Sequence, residues 1–249
     1  MRKSPPSSPP PRPRAQRPPR RESKRPRGTG ASFVYDTLKA SILDLELQPG
    51  TLLDETELSL QFGVSRSPVR EALIRLSAER LVQNLRNRTS IVAPFDVSHL
   101  PDHFDAMILL YRLTARLAAT HSDPATIARL KETERQHEAA LERGDMKATV
   151  RLNREFHVGI AQMTGNRYFV DWMESLLDQG QRVLRLYSRH LGDRLSRDVL
   201  QSHRDMIAAI AAGNPEEAEA AGGRDAHVLV EELRDTLAHL PASQLKLRD

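Results

Sequence analysis

The chain contains no cysteine among its 249 residues, so neither a disulfide framework nor a thiolate metal site is open to it, and a reducing compartment is the default. It has no apolar run approaching the roughly 20 residues that a membrane span requires. No hydrophobic stretch follows the basic N-terminus, as a secretory signal would demand. These absences predict a soluble, cytoplasmic protein with no membrane partner. Net positive charge is also confined to one segment. Residues 1–30 hold ten Lys/Arg against Glu22 alone, which leaves 27 basic and 32 acidic residues in the rest. The net charge of +4 therefore belongs to a tail, and any basic face of the folded body must come from local clustering.

Residues 1–30 are a tract of Pro, Arg and Ser with almost nothing to bury, and disorder is expected there. Two readings stay open: a basic arm adding phosphate affinity, or a neutral extension. The remaining length suits two domains, with boundaries expected at 31–95 and 96–240 and a short tail at 241–249.

From Ser32, the expected N-cap, Phe33, Val34, Leu38, Ile42 and Leu45 recur at helical spacing. Pro49-Gly50 stops that helix. Asp54 followed by Glu57 reads as a capping box opening a short second helix to about Phe62, and Gly63-Val64 makes a turn. Ser67 then reads as the cap of a third helix, with Pro68 at its first position. Val69, Leu73 and Leu76 form the buried stripe of that helix and leave Arg70 outside. Two short β-like pieces in QNLRNRTSIVAPF, bent at Arg86-Asn87-Arg88, outline a wing. The expected fold is mainly α: an N-terminal winged helix-turn-helix followed by an all-α antiparallel bundle. Helices are expected at about 101–121, 124–143, 145–164, 166–190, 193–212 and 215–239, separated by Gly-, Asn- and Pro-containing breaks. Val150, Phe156, Ile160, Met163, Ile207, Ile210, Val228 and Leu233 are expected to face its core.

A recognition helix presents its N-terminal side chains to base edges while its other face packs on the domain. Arg66 and Arg70, four residues apart in GVSRSPVREAL, are placed for bidentate contact with guanine. Ser65 and Ser67 are short donors for phosphate or base, and Arg86 and Arg88 would reach the backbone or minor groove. The run LQPGTLLDETELSLQFGVSRSPVREALIRLSAERLV resembles the DNA-binding domain of the GntR family. The resemblance implies double-stranded operator DNA as partner, with Arg66, Ser67 and Arg70 as its readers. Thr56 and Asn87 depart from the residues many relatives carry there, Arg and Gly respectively, which bears on operator sequence.

In the second half, NREFH places Asn153 and His157 one helical turn apart on one face, as two ligands of one ion would be. His203 and His227 lie on later helices with inward apolar stripes. Three imidazoles and one oxygen suit a divalent ion such as Zn or Ni; the competing account is ordinary core or exposed histidines. The region from about 100 to 240 is similar to the FCD effector domain of FadR-type GntR regulators, whose ligand pattern Asn153, His157, His203 and His227 match in order and approximate separation. That resemblance implies a bound metal, a small carboxylate effector and a homodimer. Where many such domains carry Asp, this chain has Asn153, and Met107 and Tyr111 stand where a polar Arg and Glu are common. Arg182 or Arg185 could pair with an anionic effector, against a solvated face for either.

Two further functions compete. A bundle serving only dimerisation would leave the histidines as core polar residues. A metal-dependent hydrolase would need a base beside the ligands, yet there is no HExxH motif and Glu155 points off the Asn153/His157 face. The sequence therefore reads as a ligand-responsive DNA-binding regulator, with repression as its expected sign, and as no enzyme.

Overall fold

The computed structural model describes residues 29–85, 89–94, 99–121, 123–187 and 195–239. Arg86 and Arg88, expected at the wing tip, most of the N-terminal tract and the expected C-terminal tail lie outside them. The N-terminal unit comprises α1 (Thr29–Leu43), β1 (Leu52–Leu53), α2 (Glu55–Phe62), α3 (Arg66–Ala78), β2 (Val82–Asn84) and β3 (Ser90–Val92). The sheet order is β1-β3-β2, antiparallel throughout, with Leu53 opposite Ser90 and Val82 opposite Val92. Val34, Leu38 and Ile42 of α1 pack on Val69, Leu73 and Leu76 of α3, closed below by Leu81 and Val92. Each such side chain removed from water contributes about 1.5–3 kcal/mol. This is a winged helix-turn-helix.

Three local features differ from the sequence reading. Helix α1 already runs at Thr29, before the Ser32 cap. Ser65, in extended backbone, is the N-cap of α3, so Arg66 opens the helix and Pro68 stands third in it rather than first. Its ring still displaces only an N–H that the first turn leaves without a helical partner. The third feature is β1, a two-residue strand whose pairing with β3 is too short and too distant in sequence to show as a pattern. Asp54 does cap α2, accepting from the backbone N–H groups of Thr56 and Glu57, and Gly63 ends that helix with the left-handed φ of 63° that the tight turn requires.

The C-terminal unit is α4 (Leu100–Thr120), α5 (Pro124–Glu142), α6 (Met146–Met163), α7 (Arg167–Tyr187), α8 (Leu195–Ala211) and α9 (Pro215–His239). Among the described residues it contains no strand, and no helix is long and apolar enough to cross a membrane. Helix α9 lies along α4 and α8, and α5 lies along α6. Phe156, Ile160, Ile207 and Ile210 are buried together with Met206 and Leu130. Met107, Tyr111, Val158, Met173 and Val183 form a neighbouring cluster. Val150 and Met163 are buried as well, whereas Val228 is only half-buried.

One glycine sets how closely α9 approaches α4. A Cβ on Gly222 would come within 2.8 Å of the Tyr111 carbonyl oxygen and 3.2 Å of Ala115 Cβ, contacts that cannot yield by a rotamer change. Gly222→Ala should therefore cost about 1–3 kcal/mol through overpacking, seen as a lowered thermal midpoint; an unchanged melt would show that α9 can shift freely.

Candidate functional sites

Two groups of side chains stand out, one on the surface of the N-terminal unit and one buried in the bundle. On the first, Val69, Ala72, Leu73 and Leu76 turn α3 inward, which leaves Ser65, Arg66, Ser67 and Arg70 exposed around its N-terminal turn. The unpartnered backbone N–H groups of that turn add positive potential in the same place. Arg70 does not project alone. Its Nε and Nη2 donate to the two carboxylate oxygens of Glu55, at 2.8 and 2.7 Å, while 62% of its side chain stays exposed. A pair in open water is weakly held and screened by salt, so Glu55 steadies the guanidinium without hiding it. Backbone hydrogen bonds from Glu57 and Thr56, with a smaller pull from Arg66, hold Asp54 below the usual carboxylate range.

The second group gathers five helices. His157 comes from α6, His203 from α8 and Asp225 from α9, and all three are buried. His157 Nε2 lies 3.2 Å from one Asp225 oxygen, and His203 Nε2 lies 3.5 Å from the other. Both nitrogens and Asp225 Oδ1 lack a hydrogen-bond partner. Donors arranged tetrahedrally around an ion at roughly 2.1 Å stand about 3.4 Å apart, so these distances suit a shared cation and the orphaned atoms are what it would satisfy. Tyr111 of α4 stacks on His157 at 3.9 Å, and Phe156 stacks on His203 at 4.0 Å. Both rings are thereby clamped. Behind His203, its Nδ1 meets Glu134 Oε2 of α5 at 2.6 Å, and His137 Nδ1 stands 3.5 Å from the same oxygen.

Burial governs the charge states. It pushes His157 down to about 3, with His137 adding to the effect, and it lowers His203 although Asp225 and Glu134 oppose it. Burial also pushes Asp225 up to about 6. For Glu134 burial acts upward too, but the nearby imidazole of His137 and the hydrogen bond with His203 outweigh it and hold the carboxyl at about 2. Burial, then Asp225, drives the Tyr111 phenol well above its ordinary value, with Asn153 acting against them.

The structure thus brings His157 and His203 together and sets the half-buried Asn153 beside Tyr111. It does not bring His227 to them. That ring is exposed, its Nδ1 is 2.6 Å from the Gly223 carbonyl, and it borders an open surface cavity of about 580 Å³ with Arg112 and Glu219. Asp225, two residues earlier, takes the inward position on α9. Glu134 and His137 were not singled out by sequence either, although their three-residue spacing on α5 places them on one face.

Arg182 and Arg185 also lie elsewhere than beside the histidines. Arg182, almost fully buried, donates through Nη2 to the Ala93 carbonyl after β3, and burial brings its guanidinium down to about 10. Arg185 pairs with Asp44 at 3.1 Å, and Lys147 of α6 pairs with the same carboxylate. Gln179 donates to the carbonyls of Glu79 and Arg80. Asp178 accepts Lys39 of α1 at 2.7 Å and Arg154 of α6 at 2.8 Å. Burial alone would lower the Lys39 ammonium, but Asp178 more than reverses this and raises it. One face of α7 is therefore the dock on which the winged head sits.

A winged helix-turn-helix carrying exposed arginines, docked on a six-helix bundle with a buried histidine-carboxylate group, has the build of a ligand-sensing DNA-binding regulator. Residues 31–92 match the family model described as bacterial regulatory proteins, gntR family, and residues 102–227 match the FCD domain. The chain is 30% identical over 217 residues to an HTH-type transcriptional regulator in an unstable DNA locus of Streptomyces ambofaciens, covering 86% of this chain and 89% of that one. It is 28% identical over 177 residues to the HTH-type transcriptional repressor RspR of Escherichia coli K12, covering 71% and 77%. Its fold is shared with the solved structure of E. coli McbR/YncC, with a TM-score of 0.69 at 23% identity over 88% of this chain and 99% of that one. The chain belongs to the GntR family of transcription regulators and carries an FCD effector domain, a class of DNA-binding regulators and not of enzymes.

The buried group has a consequence for stability that pH reveals. In metal-free protein the folded state keeps a proton on Asp225 up to about pH 6 while the unfolded chain releases it near 3.8, so stability is lost as pH rises across that interval. His157 works in the opposite sense: the unfolded chain takes up a proton below about 6.5 that the buried ring refuses until about 3, so stability falls as pH drops. Asp225→Asn removes only the first effect. With a chelator present it should stabilise the protein by roughly 1–3 kcal/mol, by more at about pH 8 than at about pH 5. Denaturant midpoints of both proteins at the two pH values check this, and an equal gain at both would contradict it.

Proposed function

We propose that the chain represses transcription as a homodimer whose helical domain binds a divalent ion together with a small organic acid, in the manner of FadR-type members. The observation that carries the sensing part is the convergence of the buried His157, His203 and Asp225, with orphaned donor atoms at ligand spacing. FCD domains often bind metal, and this set of two imidazoles and one carboxylate, with Asn153 close by, suits borderline ions such as Zn or Ni. The ion would supply a positive centre for an anionic oxygen. The chain's own residues do the rest: Phe156 and Tyr111 hold the rings, and apolar side chains exclude water.

At the other end Ser65, Arg66, Ser67 and Arg70 face operator DNA, and the sequence reading adds Arg86 and Arg88, which lie outside the described residues. Such operators are mostly two-fold symmetric, which favours a dimer with two heads, and they lie in the cytoplasm. Repression is supported by the relative RspR, named as a repressor. Arg182 and Arg185 take the role of holding the head instead of an effector. The placement of Arg154 supports the coupling. Arg154, next to Asn153 and one turn from His157, pairs with the same Asp178 that holds Lys39 of the head. A ligand that prefers one position of α6 thereby biases one position of the head.

Arg66→Ala should weaken specific operator binding by about 1–3 kcal/mol; unchanged affinity in a gel shift at fixed salt would remove Arg66 from the reading surface. A thermal-shift screen of small carboxylates, with and without chelator, tests the sensing part. Stabilisation by a carboxylate should vanish with the chelator and in His157→Ala, while His157→Ala still binds DNA and no longer releases it on ligand addition. Normal release by that variant would defeat the metal-linked reading.

A further inference from the structure

The bundle offers a second trio of ligand atoms that the family-like group does not use. Glu134, His137 and His203 present donors within 4.8 Å of one another, and all three side chains are buried. Glu134 Oε1 and His137 Nδ1 have no hydrogen-bond partner, which is costly for polar atoms out of water. The two trios meet on one ring. His203 turns Nε2 toward Asp225 and His157, and Nδ1 toward Glu134.

We infer that Glu134, His137 and Nδ1 of His203 form an outer cation station that shares its imidazole with the inner one, so that the two are filled alternately. A neutral imidazole has one bare nitrogen and one N–H. With an ion on Nε2 the proton sits on Nδ1 and is donated to Glu134, the arrangement that a 2.6 Å contact describes. With an ion on Nδ1 the proton moves to Nε2 and can be donated to Asp225, 3.5 Å away. Proton count and ring charge are the same in both states, and occupying both at once would require an imidazolate. The outer station requires only that Glu134 withdraw slightly, until its distance from Nδ1 resembles the 3.5 Å it already keeps from His137.

Access favours this order. Glu134 borders a surface cavity of about 370 Å³ between α5 and α8, together with Lys131, Arg135, Glu138 and Arg204. Arg204 is paired with Glu138 and Arg135 with Glu132, so two of the cations at this mouth are already matched by carboxylates. An ion entering here meets Glu134 before it can reach Asp225. The outer station is thus a place of capture from which the ion passes inward across a single imidazole.

This inference rests on the proposal that the bundle binds a metal, and Co(II) titration of the full chain separates the two. Wild-type protein should take one Co(II) per chain by absorption and elemental analysis. Asp225→Asn, which disables the inner station, should still take one ion, about 10–100-fold more weakly and with a changed d–d spectrum. Asp225→Asn combined with His137→Ala should take none, whereas His137→Ala alone should keep its affinity within about threefold while taking up the ion more slowly. His157→Gln disables the inner station without touching α9 and gives the same comparison if Asp225→Asn does not fold. Loss of all binding in both inner-station variants, or two ions on each wild-type chain, would overturn the alternating stations. A wild-type chain that binds no Co(II) would instead remove the metal-binding proposal beneath them.

Discussion

Keeping charge and polarity inside an apolar bundle is the constraint on which the C-terminal unit depends. Asp225, Glu134, His137, His157 and His203 are all nearly inaccessible, and removing an ionised group from water costs several kcal/mol unless partners replace the solvent. The fold meets part of this cost. His203 and Glu134 satisfy each other at 2.6 Å, the aromatic stacks fix two of the rings, and burial leaves His157 and His203 uncharged at neutral pH. Asp225 is left least provided for, and its raised proton affinity expresses the shortfall. A structure that keeps such an arrangement gives up stability at that point, which is common where a site must receive something from outside.

The other polar network works at the boundary between the units. Here the charges are paired and, Lys147 apart, buried or partly buried: Asp44 with Arg185 and Lys147, Asp178 with Lys39 and Arg154. Their donors and acceptors alternate between head and bundle, so the head is positioned by directional contacts as well as by apolar packing. A carboxylate with two cationic partners can shift weight from one to the other without being left bare, whereas a packed apolar interface resists sliding. The division of labour suits a molecule that must hold its DNA-reading unit in one place and also let it go.

Much of this was legible in the sequence, and the exceptions have physical causes. The three-helix head and the six helices of the bundle follow from periodicity and from turn residues such as Gly63, Gly144, Gly165 and Gly213, whose left-handed backbone the structure confirms. Asn153 and His157 are one turn apart, and that spacing survives folding. His227 misled because a histidine looks like a ligand wherever it stands. The stripe of α9 runs through Ala218, Ala221, Ala226 and Val230, and Asp225, seven residues after Ala218, lies on it. His227 is two residues past Asp225, about 200° around the helix. Periodicity, weighed above residue type, would have chosen the aspartate. No local signal could have directed Arg182 toward Ala93 or Gln179 toward Glu79, since those partners lie about 90–100 positions away in the chain and local periodicity does not reach so far. The ion pair between Arg70 and Glu55 is likewise a contact between helices that spacing within α3 does not encode.

Asp178 serves two masters of the same sign. Lys39 and Arg154 both approach its single negative charge from opposite units, and a carboxylate divided between two cations gives to one whatever it withholds from the other. If Arg154 retreats with α6, Lys39 gains the undivided attraction; if Arg154 presses closer, the grip on Lys39 slackens. A buried carboxylate thus acts as a balance beam, turning a small displacement of one helix into an opposite change in how firmly its neighbour is held.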